Sequence, residues 1–366
     1  MSDIYAVSVD GSGLRQVIDS KLTGADAPLP GLSGLIWVPT SFGLSPDGTQ
    51  VVYSSCDFPD PRLAAREGYM PEAADYQYEI VRAPIAGGAP QRLTAHRNFD
   101  NFPSWSPDGA RIAFLSNRHS VLGGRHQVHL YTMTPDGSDI QDLTPDLAAV
   151  IQHPPQWAPD EQRLAFVAYS RDSRAAPLLE QHPDVYTVRV DGSELRRLAA
   201  AVSSPVAWSP DGQRLAFAQA VDDTVVLVTV AADGSDRQQL VPIEGWQQGD
   251  GDAPAHWAWI NSVAWSPDGT RILVSVNERQ PAFIVGLDSP HRRDVGILRR
   301  PHGRFHGVRA AAWSPDGSRI ALLGPSLVAI VPADGGPIRG LAEHVGSAAG
   351  WRPLNASELD TPVDAI

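Results

Sequence analysis

Trp105-Ser106-Pro107-Asp108-Gly109-Ala110-Arg111-Ile112-Ala113-Phe114-Leu115 decides the fold, because its pattern recurs along the whole 366-residue chain. Ser45-Pro46-Asp47-Gly48 is an earlier copy. Later copies run from Trp208 to Gly212, Trp265 to Gly269 and Trp313 to Gly317, and Trp157-Ala158-Pro159-Asp160-Glu161 is a degenerate one. Successive aspartates lie 48 to 61 residues apart. In each string serine offers a local hydrogen bond, proline presets φ at the second turn position, and glycine takes the positive φ that launches the returning strand. The string therefore reads as a β-hairpin turn, with a tryptophan closing the strand before it and an alternating strand such as Arg163 to Val167 after it.

A second signal follows each hairpin: an apolar strand, an Asp-Gly or Gly-Gly turn, and a short strand ending on leucine or valine. Val128 to Met133 with Asp136-Gly137 and Leu143 is one case, and Val225 to Val230 with Asp233-Gly234 and Leu240 is another. Each unit thus supplies four antiparallel strands, A to D. Repetition of such units is the signature of an all-β propeller, whose blades are four-stranded sheets. High glycine and proline, 32 of each, agree with a chain that turns often and carries little helix.

The order of small residues, Trp-Ser-Pro-Asp-Gly, a basic residue, Ile-Ala-Phe, an apolar strand and Asp-Gly resembles the WD40-like repeat of the TolB propeller family, over nearly the whole chain from Ile4 to Trp351. The resemblance implies a binding propeller with envelope partners rather than an enzyme. Six units carry both hairpins. Ile4 to Val9 with Asp10-Gly11 and Val17 reads as strands C and D of a further blade, and Ala348 to Trp351 as its strand A. A ring closed by both termini leaves no free edge, so the expectation is a seven-bladed β-propeller, with six blades as the alternative. The domain then spans residues 1–353, with the closing blade shared by residues 3–18 and 347–353, and residues 354–366 form a tail.

Because strands alternate in direction, the Ser-Pro-Asp-Gly and Asp-Gly turns share one face, and the B-to-C and D-to-A connections share the other. The longer connections, such as Asp57 to Tyr78, Asn117 to His126, Tyr169 to Asp184 and Pro242 to Ile260, all belong to the second set. Binding residues concentrate on such loops when a rigid scaffold carries them. Four residues before each strand-A tryptophan, or its equivalent Leu44, stand Thr40, Asn101, His153, Ser204, Asn261, Arg309 and Ser347, all polar. Strand A is innermost in a propeller, so these seven are expected to ring the loop-side mouth of the channel. There they bind a ligand or a partner's peptide, or else satisfy strand starts and channel water. The rim is assigned to Trp246, His256, Trp257 and Trp259 in one loop and Arg304 and His306 in another, types enriched at binding hot spots or packed as a satellite cluster beneath the loop.

Catalytic signatures are missing from the sequence: no Gly-x-Ser-x-Gly elbow, no phosphate loop and no zinc-protease helix motif. His126 and His129, three apart beside a strand, read as structural or solvated, as do His302 and His306 between Pro301 and Gly303. No catalytic residue, metal or cofactor is expected. Some propeller lyases hold a metal with histidines from several blades, and His96, His153, His256 and His306 lie toward the mouth, but no motif here resembles theirs. The alternatives to a protein-binding propeller are a carbohydrate lyase or hydrolase with a loop-derived metal site, and a non-catalytic gate for a separate peptidase. A formal charge of −13 argues against nucleic acid, and no apolar run approaches the roughly 18 residues of a membrane span. One cysteine, Cys56, excludes an internal disulfide. Met1 to Gly13 shows no leader pattern, which reads as cytoplasmic, whereas an envelope location requires a leader.

Overall fold

The computed structural model describes residues 4–6, 15–18, 42–57, 77–95, 99–119, 128–147, 149–151, 153–170, 183–200, 202, 204–222, 224–243, 260–276, 281–296, 298–299, 305–306, 308, 310–324, 327–344 and 351–353. They form six antiparallel blades, each running A-B-C-D in chain order from one edge to the other, and two separate two-stranded sheets. Blade 1 begins at Phe42–Leu44, blade 2 at Asp100–Trp105, blade 3 at Ala149–Ile151, blade 4 at Ala207–Trp208, blade 5 at Ser262–Trp265 and blade 6 at Ala310–Trp313. The chain divides into two compact units. The first holds blades 1 and 2 with strands A and B and most of strand C of blade 3, and the second holds the rest of blade 3 and blades 4 to 6. No helix among the described residues is long and apolar enough to cross a membrane.

Six blades, the alternative count, are what the described residues form. Ile4–Ala6 and Arg15–Ile18 make a two-stranded sheet of their own. Trp351–Pro353, expected as strand A of a closing blade, instead pairs with Arg339–His344 as a fifth strand of blade 6, His344 opposite Trp351. An outermost strand presents a row of unpaired N–H and C=O groups, and a short extended segment satisfies them wherever it reaches that edge.

The Ser-Pro-Asp-Gly turn is a closed hydrogen-bond unit. In blade 5 the Gly269 N–H donates to the Ser266 carbonyl at 2.9 Å, and the Ser266 hydroxyl donates to Asp268 Oδ1 at 2.5 Å. The Thr270 N–H also donates to that oxygen at 3.0 Å, and the Arg271 N–H donates to Ser266 Oγ at 2.9 Å. The same set recurs at Ser45, Ser106, Ser209 and Ser314. These bonds hold the Asp268 and Asp316 carboxyls down at about 2, the serine hydroxyl contributing most. Blade 3 lacks the hydroxyl, since Ala158 replaces serine, and Glu161 takes the glycine position at φ 61°. Arg163 compensates by pairing with Asp160 at 2.6 Å.

Repeated contacts join neighbouring blades within each unit. The Trp157 indole N–H donates to the Ser104 carbonyl at 3.1 Å, Trp265 to Ala207 at 3.2 Å and Trp313 to Ala264 at 3.3 Å. In each case the acceptor immediately precedes the previous blade's own tryptophan. Trp105 Nε1 is buried with no partner among the described residues. Apolar clusters fill the layers, such as Val52, Ile80, Ile112, Phe114 and Met133 between blades 1 and 2, and Leu227, Val263, Ile272 and Phe283 between blades 4 and 5. Strand B of blade 2, Ile112–Ser116, is buried on both faces. Blades 1 and 6 show more exposure. Phe42 and Leu44 of blade 1 are 57% and 54% exposed, and strand B of blade 6, Arg319–Leu323, alternates exposed and buried.

Candidate functional site

Strand A, which carries the residues assigned to the mouth, pairs in unbroken register in blades 1, 5 and 6. In blade 3, Gln156 pairs with Ala165, but Ile151 pairs with Ala168, so two extra residues are inserted around Pro154 and Pro155. Blade 4 repeats this around Pro205: Ala207 faces Ala216, yet Val202 bridges Gln219. Blade 2 inserts one residue at Phe102-Pro103, with Phe102 at φ 56°. Proline has no N–H to give the ladder, so the strand buckles there. Strict two-residue alternation consequently does not run from the tryptophan back to the polar position in blades 2, 3 and 4.

The polar side chains at these breaks satisfy backbone and neighbours. Ser204 is buried, and its hydroxyl oxygen accepts the Ala218 N–H at 2.7 Å while its O–H donates to the Pro205 carbonyl at 2.8 Å. Asn101, also buried, accepts the Ser54 hydroxyl at 2.5 Å and the Phe102 N–H at 2.7 Å on Oδ1. Asn261 is exposed and donates from Nδ2 to the Val276 and Val308 carbonyls at 2.8 and 3.2 Å, which ties blade 5 to the entry of blade 6. Its amide oxygen has no partner among the described residues. His153 is half-buried, and burial holds its ring below the usual histidine range, so it is neutral at physiological pH. Thr40, Arg309, Ser347, Trp246, His256, Trp257, Trp259 and Arg304 lie outside the described residues. His306 falls in the two-residue strand Phe305–His306, paired with Leu298–Arg299.

A polar cluster not anticipated from sequence stands on blade 2, at the end that carries the B-to-C connection. His129 opens strand C, Asp142 ends strand D opposite Tyr131, and His119 lies three residues past strand B. His129 Nδ1 is 2.8 Å and His119 Nδ1 3.4 Å from Asp142 Oδ2. His119 Nδ1 is also 2.6 Å from the Tyr131 hydroxyl. The Thr144 N–H donates to the other oxygen, Asp142 Oδ1, at 2.9 Å. Burial opposes ionisation of Asp142, yet the His129 bond and the Thr144 amide hold its carboxyl below the usual range. Burial, then the Asp142 charge, pushes the Tyr131 phenol up. Arg118 lies over the Tyr131 ring at 5.0 Å, its charge answered by buried Asp100 at 3.0 Å. His119, His129 and Asp142 are the one group among the described residues with three metal-ligating atoms mutually within 4.8 Å. These residues belong to three different strands and their flanks, so no linear motif announces them. The readable signal was His129 at the start of strand C, read as structural or solvated.

Parts of the chain are similar to known proteins. An uncharacterized protein of Agrobacterium fabrum is 29% identical over 154 residues, 39% of this chain and 47% of its own length. The Tol-Pal system protein TolB of Anaeromyxobacter dehalogenans is 26% identical over 162 residues, 44% of this chain and 35% of its own. This chain thus matches less than half the length of either relative. The crystal structure of TolB from Acinetobacter baumannii superposes with a TM-score of 0.47 at 15% identity, covering 72% of this chain and 58% of that one. The WD domain, G-beta repeat description matches residues 252–278. The description of the TolB beta propeller domain matches residues 72–259, just over half of the sequence, and the chain belongs to that family of β-propellers.

Proposed function

We propose that this chain is a non-catalytic propeller that binds an extended protein or peptide segment on the face carrying its B-to-C and D-to-A connections. The observation that carries the reading is the contrast between the two ends of the blades. At one end, repeated turns of a few residues expend their serine, aspartate and backbone groups on one another, as at Ser266 to Arg271 and Thr134 to Ser138. At the other end the connections are long and varied in sequence. At the strand starts of their own blades, Asn261 of blade 5 has an amide oxygen with no partner among the described residues, and His153 of blade 3 offers a neutral ring able to donate or accept. Extended peptides are recognised through such amide and imidazole groups set among apolar walls.

The test is affinity capture from the native host with the intact chain, a His153→Ala, Asn261→Ala, Arg309→Ala variant, and an Asp136→Ala control on the opposite face. The expected result is a protein retained by the intact chain and the control and lost from the triple variant. An unchanged set of captured proteins in the triple variant, or none with the intact chain, overturns the assignment of this face.

A further inference from the structure

We propose that His119, His129 and Asp142 form a binding site for a single divalent transition-metal ion of the zinc class on blade 2. Nδ1 of both histidines approaches Asp142 Oδ2, and one ligand atom from each of the three residues lies within 4.8 Å of the others. Ligands on a tetrahedral ion bonded at about 2.0–2.1 Å stand roughly 3.3 Å apart. The His119–Asp142 separation of 3.4 Å matches this, and the His129–Asp142 contact of 2.8 Å opens by about half an ångström when a cation replaces the shared proton. Two imidazoles and a carboxylate are the ligand types that zinc-class ions take, leaving a fourth position for water or for the adjacent Tyr131 hydroxyl.

The surroundings support a ligand role. Thr144 occupies Asp142 Oδ1, which orients the carboxylate and leaves Oδ2 toward the histidines. The Arg118 cation that lies over the Tyr131 ring is paired with Asp100, one guanidinium nitrogen donating to both carboxylate oxygens at 3.0 and 3.1 Å. His119 has 65% of its side chain exposed, yet turns Nδ1 inward onto Tyr131 and Asp142, so an ion has a route from solvent. A bound ion joins the flanks of strands B, C and D at the base of the B-to-C connection.

The experiment uses the untagged full chain, stripped with chelator and titrated with Co²⁺, then with Zn²⁺, at neutral pH. Expected are one equivalent of Co²⁺ with the intense visible absorption of tetrahedral coordination, its displacement by Zn²⁺, and affinity at least tenfold weaker in both His119→Ala and Asp142→Asn. Exposure of His119 means that its substitution keeps the fold, which an unchanged urea midpoint of the metal-free protein verifies. No stoichiometric binding by the intact chain, or equal binding by both variants, which would locate the ion elsewhere in the molecule, overturns the proposal.

Discussion

Gly137 offers the sharpest test of how neighbouring blades pack. It sits in the C-to-D turn of blade 2 at φ 87°, and a Cβ added there falls 2.6 Å from the backbone oxygen of Leu93 in blade 1. Two costs follow from Gly137→Ala. The left-handed backbone costs an L-residue about 1–2 kcal/mol. Contact with a backbone oxygen that cannot rotate away adds an overpacking cost of about 1–3 kcal/mol. Gly48→Ala provides the comparison, because Gly48 has φ 68° and nothing within 4 Å of the added carbon, so only the first cost applies. Urea unfolding followed by tryptophan fluorescence should show both variants destabilised, with Gly137→Ala worse by about 1–3 kcal/mol. Equal losses would mean that the turn of blade 2 does not bear on the edge of blade 1, and the account of blade stacking in the first unit would fail.

Glu161 holds a left-handed φ of 61° where the other copies have glycine, so Glu161→Gly should stabilise the chain by about 1 kcal/mol, read as a raised urea midpoint. Trp265→Phe removes the indole donor to Ala207, whereas Trp105→Phe removes a buried N–H with no partner among the described residues; the first should cost about 1 kcal/mol more than the second in the same assay. The turn carboxylates of Asp268 and Asp316 ionise at about 2 in the fold against an ordinary value of 3.8, so their contribution is complete above that ordinary value and disappears as pH falls toward about 2. Urea midpoints should therefore decline between pH 4 and pH 2, and Asp268→Asn should reduce the decline; a flat profile would show that these turns add nothing.

The repeat was legible because each of its residues answers a local need. Proline and glycine set backbone angles, the tryptophan fills a layer, and alternation gives strands A to D in the right order. Two turn residues do more than sequence reading credits them with. The aspartate gathers the serine hydroxyl and the second following amide, and the basic residue opening strand B reaches the residue beyond the C-to-D turn, as Arg111 does Asp139 and Arg214 does Asp236. The polar position before each tryptophan was visible, but its bond to a ladder broken by Pro103, Pro155 or Pro205 was not, since counting by twos assumes an unbroken strand. Trp351 carries the local signature of a strand A and pairs elsewhere because edge hydrogen bonding depends on what is near in space. His119, His129 and Asp142 meet through cross-strand register, which spacing along the chain does not encode.

Every Ser-Pro-Asp-Gly turn closes through bonds spanning no more than five residues. The loop-closure entropy of each A–B hairpin is correspondingly small, and one hairpin need not wait for another to form. Folding can then nucleate at any of several equivalent seeds and spread to adjoining sheets, with the docking of neighbours as the slow event. A weakened seed, such as the degenerate copy at Ala158, then need not limit the rate, since intact copies precede and follow it along the chain.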